Sequence, residues 1–182
     1  MPSIASHIAC ATYIKDKANI KNENDFYKGN IYPDLVCRGH FYERYFSYYI
    51  PDIDKFLKKY KNENRDFYLG YLCHLLLDRY FVTQYVSKKI RHKDVKRIYN
   101  DYSLINNNIL NKWNFDFSYV NLFFDFDDKR VCKDAVFKNK RYLYLKSNKD
   151  PSVLDYLDFE KFLSKAFDQI FTDLIKYGFL DR

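Results

Sequence analysis

In the largely apolar run Asp66-Phe67-Tyr68-Leu69-Gly70-Tyr71-Leu72-Cys73-His74-Leu75-Leu76-Leu77-Asp78-Arg79-Tyr80-Phe81, an imidazole and a carboxylate stand four residues apart. On a helix, His74 and Asp78 share one face and can grip one ion. Burying both is costly unless they are paired or bound to a metal. The simplest pairing is internal, His74 with Asp78 or Asp78 with Arg79, as a satisfied polar island in a helical core. The other histidines bear on that choice. The chain has 4, and three of them fall in the order His7, Asp34, His40, His74, Asp78. Imidazole and carboxylate are ligands that zinc takes at catalytic sites, where a position stays open for water.

These side chains need rigid elements to hold them. A first helix is expected over residues 4–17, with Ile8, Ala11 and Ile14 on its apolar face and His7 on a polar turn. Residues 19–24 read as a loop. Gly29 and Pro33 predict a turning backbone that presents Asp34 from an irregular segment, with His40 just downstream of Gly39. A helix starts near Pro51 with acids in its first turn and ends in the charged stretch 58–65. The central His74 helix runs on to about Val86. Residues 95–113 have helical spacing and carry Asp101. The stretch 114–150 reads as an irregular insertion or lid, in which residues 141–145 are able to form a short strand. Ser152 and Asp155 have a capping-box-like spacing before a final amphipathic helix through Phe159, Phe162, Leu163, Ala166, Ile170 and Leu174.

Composition agrees with helices. The 182 residues suffice for one domain with a substantial core, spanning 1–182. Aromatics make up 20% of them, and only 4 Gly and 4 Pro leave few turn residues for a multistranded sheet. The fold class expected is all-α, a single-domain multi-helix bundle. The formal charge of +7 suits an anionic, phosphate-bearing partner, although the lysines of residues 55–65 read as a solvated helix face. No basic run resembles a nucleic-acid arm, and no apolar stretch reaches the roughly 18 residues of a membrane span. The first seven residues lack the basic and apolar regions of a secretory signal, so a cytoplasmic protein is expected unless such a signal has been removed. Cys10, Cys37, Cys73 and Cys132 are widely spread and read as free thiols. One rival grouping, His7-x2-Cys10 with Cys37-x2-His40, has the ligand inventory of a structural zinc site but leaves His74 and Asp78 unexplained.

Taken in order, Ser6-His7, Gly29-x3-Pro33-Asp34, His40 and Gly70-Tyr71-Leu72-Cys73-His74-x3-Asp78 resemble the zinc-dependent phospholipase C family, which shares its helical fold with the fungal single-strand nucleases. Intracellular bacterial members look closest, and Tyr99-Asn100-Asp101-Tyr102 has their character. The resemblance covers roughly the first 110 residues. It implies that Asp34, His40, His74 and Asp78 build one zinc site. It also implies that His7 helps hold a second ion with the N-terminal amine, and that Asp78 bridges the two. Asp34 and Asp78 would then be the catalytic carboxylates. The chain departs from the family where a third zinc would bind: His92 is the one histidine left, and position 96 is lysine. Asp101 is the remaining candidate ligand, by order alone.

The function this implies is hydrolysis of a phosphodiester or phosphomonoester with one or two zinc ions, and Arg79, Arg38 or Arg44 as candidate electrostatic clamps. A phosphorylated small molecule, a lipid head group and a nucleotide stay open as substrates. No integral membrane contact is expected. Two other classes compete: a metal-stabilised helical binding protein without catalysis, acting as a regulator or defence component, and a nucleic-acid-binding module suggested by charge and aromatics.

Overall fold

Ser3 starts the first helix by accepting a hydrogen bond from the Ser6 amide on its side chain, and α1 then runs over Ile4–Lys17. Lys15 and Lys17 sit in its last turn, where cations complement the helix dipole. Nearly every face of α1 is buried, so His7 lies inside the domain. This computed structural model describes residues 2–60, 65–90, 92–144 and 151–180.

The segment expected to turn at Gly29 is helical. Asn22 caps α2, Glu23–Ile31, by accepting from the Asp25 amide, and acids at 23 and 25 suit its first turn. Gly29 serves a close approach between two helices, not a turn. The central helix α4, Arg65–Tyr80, crosses α2 so tightly that a Cβ on Gly29 would lie 1.8 Å from the Phe67 carbonyl oxygen. One on Gly70 would lie 1.9 Å from that of Phe26. Only hydrogen fits at either place, and the crossing brings the end of α2 against the middle of α4. Pro33 then belongs to a short 3-10 turn, Tyr32–Asp34.

Between Asp34 and α4 the chain forms an unexpected hairpin, β1 (Tyr42–Tyr45) and β2 (Tyr48–Pro51), paired antiparallel with Tyr45 opposite Tyr48. Phe46 and Ser47 make its loop, and Phe46 takes a left-handed φ of 51°. The loop therefore lacks the Gly or Asn that announces such a turn. Arg79 ties the hairpin to α4 by pairing with Glu43 at 2.8 Å and donating to the Pro51 carbonyl. Helix α3, Ile53–Tyr60, follows, with Asp52 accepting from the Lys55 amide.

The C-terminal half packs on this frame. α4 widens into a π-helical turn, Phe81–Val86, followed by the short α5, Ser87–Lys89. A 3-10 segment, His92–Arg97, leads into α6, Ile98–Lys112. The stretch 114–150, expected to be irregular, contains α7, Val120–Phe123, and α8, Lys133–Tyr144. Residues 141–144 are thus helical and not a strand, while 145 lies outside the described residues. Asp155 caps α9, Tyr156–Lys176, through the Asp158 amide. Ser152 has another role, described below. The chain is mostly helical, with the hairpin as its one sheet among the described residues. Helices α1 and α4 lie at the centre of a single core and are packed by α2, α6 and α9. No helix among the described residues is long and apolar enough to cross a membrane.

Candidate metal centre

Four elements deliver five side chains to one place. His7 comes from the second turn of α1, Asp34 from the 3-10 turn after α2, His40 from the loop before β1, and His74 with Asp78 from successive turns of α4. Their ligand atoms form two overlapping groups, His7–His74–Asp78 and Asp34–His40–His74, each with all its atoms within 4.8 Å of one another. The Nε2 atoms of His40 and His74 are 3.2 Å apart. Asp34 Oδ1 lies 3.3 Å from the first and 3.9 Å from the second. Asp78 divides its oxygens: Oδ2 is 3.5 Å from both His40 Nε2 and His74 Nε2, and Oδ1 is 3.4 Å from His7 Nε2.

The state of His74 follows from its other nitrogen. Nδ1 sits 2.7 Å from the Asn30 carbonyl oxygen, which can only accept, so Nδ1 carries the hydrogen and neutral His74 offers a lone pair at Nε2. This is the outer-shell arrangement that fixes the tautomer of a metal-ligating histidine. Two further imidazoles stand against His74. His40 Nε2 faces it at 3.2 Å, and the His7 ring stacks on it with centroids 3.6 Å apart and planes 6° from parallel. Neither nitrogen of His7 and neither oxygen of Asp78 has a hydrogen-bond partner among the described residues. Buried polar atoms without partners are costly, and a cation bound at the cluster would relieve part of that cost. Burial alone would raise the Asp78 carboxyl's pKa, but His74 and His7 outweigh it and hold the group well below its ordinary value. Asp34 is likewise lowered against its burial, by His74, His40 and His7.

Supporting groups that the sequence did not reveal hold this geometry. Asn30 acts through its backbone, so no side-chain pattern marks it. The Tyr71 hydroxyl donates to the Gly39 carbonyl and anchors the loop that carries His40. Tyr42 stacks on the His40 ring with planes 5° apart. On the cavity side, Asp34 lines a space of about 340 Å³ together with residues of α6 and α8.

Other candidates stand apart. Asp101 joins neither group: its oxygens accept from the amides of Ser152, Val153 and Leu154 and from the Ser152 hydroxyl, at 2.7–3.2 Å. No cysteine belongs to either group among the described residues; Cys10 is buried and Cys37 exposed. Of the arginines, Arg79 is ion-paired and Arg44 donates to the Phe46 carbonyl. The N-terminal amine, at Met1, lies outside the described residues. Comparisons with protein-family models, with curated proteins and with solved structures found no match. What the chain does must therefore be read from the cluster itself.

Proposed function

We propose that the protein is a zinc-dependent phosphoesterase-like hydrolase, comparable in its ligand order to the zinc-dependent phospholipase C family. One observation carries the reading: a buried carboxylate, Asp78, has its two oxygens aimed at separate sets of imidazole nitrogens at 3.4–3.5 Å, with no hydrogen bond completed to either. The donor set fits zinc. His74 has only Nε2 to give, because Nδ1 is committed to Asn30, so it cannot serve both groups. Asp34, His40, His74 and Asp78 Oδ2 would hold the better-furnished ion, and His7 with Asp78 Oδ1 a second. Bound zinc supplies a Lewis acid and a water acidified to a pKa of about 7.

The protein's own groups set up the rest. Asp78 spans the two halves of the cluster. Asp34 stands between the ligand atoms and the cavity, ionised, where it can orient a water or accept its proton. Tyr42 and Tyr71 restrain His40 from two sides. The surplus of positive charge favours approach of a phosphate.

The test pairs composition with activity. Elemental analysis of the purified protein should find zinc, and His74→Ala should lose it. Among phosphodiesters and phosphomonoesters assayed with zinc and with chelator, at least one should release product in a chelator-sensitive way. Metal-independent turnover overturns the mechanism. Silence across the panel with zinc bound replaces it with a metal-stabilised binding protein.

A further inference from the structure

The cavity beside Asp34 is a seam between two helices. Tyr99, Tyr102 and Asn106 follow at i, i+3 and i+7 on α6, and Ala135, Lys138 and Asn139 at i, i+3 and i+4 on α8, so each helix presents one face to it. The N-terminal segment Pro2, Ser3 and Ile4 completes the wall. Helix α8 belongs to the stretch whose sequence looked irregular. Its part in this wall gives that stretch a functional reason to be ordered.

The lining names a chemistry. Lys138 is the one cation among the described lining residues, too few for a nucleic-acid backbone, whose binding relies on several phosphate contacts. The carboxamides of Asn106 and Asn139 both donate and accept, and Ser3 adds a hydroxyl, a mixture matched to neighbouring hydroxyl groups. Tyr99 and Tyr102 add aromatic surface to the lining, against which the C–H surface of a saturated ring can pack. The volume of about 340 Å³ is at the small end of ligand pockets. Resting on the metal-hydrolase reading, we propose that this cavity binds a small polyhydroxylated phosphate ester of the sugar-phosphate class. Its phosphate lies at the His/Asp cluster, Lys138 is its counter-charge, and Asn106 and Asn139 read its hydroxyls.

Glucose 6-phosphate is the probe, titrated calorimetrically into the zinc-supplemented protein beside inorganic phosphate, thymidine monophosphate and glycerophosphocholine. The sugar phosphate should bind more tightly than the other three. Lys138→Gln should weaken it about tenfold, the scale of one charge-assisted hydrogen bond. Asn139→Ala should weaken the sugar phosphate and leave inorganic phosphate unchanged. Both side chains are outside the cluster, so zinc content should match wild type in each variant. If zinc is bound but the sugar phosphate binds no better than inorganic phosphate, or neither substitution matters, the cavity assignment fails alone. Tighter binding of the nucleotide or of the lipid head group overturns it too. If the wild-type protein binds no zinc, the underlying metal reading fails.

Discussion

Asp78 and Asp101 are buried to the same degree, 1% and 2% exposed, and the protein treats them in opposite ways. Around Asp101 the chain provides four donors: the Ser152 amide at 2.9 Å and hydroxyl at 3.2 Å, the Val153 amide at 2.7 Å and the Leu154 amide at 3.0 Å. Burial would raise its pKa, and these donors more than offset it, so the group is ionised and satisfied by protein alone. Around Asp78 stand His7, His40 and His74, and no hydrogen bond is completed to either oxygen. A carboxylate with four donors is a staple, here joining α6 to the approach of α9. A carboxylate ringed by imidazole nitrogens with no bond completed could hold a cation. Equal burial thus says little; the nature of the neighbours decides between structure and chemistry.

The largest difference should appear in turnover of whichever phosphate ester responds in the panel. Asp78→Asn is expected to lower kcat/KM by about 100-fold or more, since the amide cannot serve both halves of the cluster. His7→Ala should cost less, because the Asp34–His40–His74 group survives it. Asp101→Asn should stay within about threefold of wild type. Equal losses at positions 78 and 101 would erase the distinction between them.

Next in size is the response to metal removal. Zinc at about 1,000 times its dissociation constant stabilises a fold by about 4 kcal/mol, which for a chain of this length corresponds to about 10 °C in Tm. Chelator should lower the melting temperature of wild type and of Asp101→Asn by that amount. It should move Asp78→Ala by much less, a comparison that thermal scans with and without chelator read directly. A chelator effect undiminished in Asp78→Ala would place the ion elsewhere.

How far the sequence reveals this contrast depends on the range of the interactions. The polar residues of α1 and α4 are conspicuous in it because they interrupt apolar helical runs, and the N-caps of α1 and α9 involve residues three apart. Asp101 is opaque for the opposite reason. Its donors lie 51–53 residues downstream, and nothing in its own helix announces them. The same distance misleads at Ser152, which looks like a cap by spacing and instead bonds Asp101. Gly29 looks like a turn because its partner, the Phe67 carbonyl, belongs to another helix. The hairpin escapes notice because Phe46 adopts a left-handed conformation usually left to Gly or Asn.

A smaller effect should show in the pH dependence of the staple. The folded-state pKa of Asp101 is held below the unfolded value of about 3.9. Its stabilisation is therefore present in full above that value and is lost as pH falls through the folded-state pKa. At neutral pH, Asp101→Asn should lower the unfolding free energy by about 2 kcal/mol, the loss of charge-assisted hydrogen bonds to backbone amides. Denaturant midpoints of variant and wild type should converge in acid, below about pH 4. A gap that widens on acidification would mean that the carboxylate is not ionised in the folded protein.

The smallest expected change isolates one donor of the staple. Ser152 supplies two of the four hydrogen bonds to Asp101, and only the hydroxyl, at 3.2 Å, is removed by Ser152→Ala; the backbone amide stays in place at 2.9 Å. The remaining three donors keep the carboxylate satisfied, so the loss should be about 1 kcal/mol, the worth of one hydrogen bond to a charged group at the weak end of its range. Because this staple contains no cluster ligand, the change should be the same with zinc and with chelator. In a double-mutant cycle with Asp101→Asn, the two substitutions should be non-additive, since the second removes the charge that strengthens the bond lost in the first. Additivity would show that Ser152 stabilises the approach to α9 through some other contact. A zinc-dependent cost would couple the staple to the cluster and break the separation between the two carboxylates.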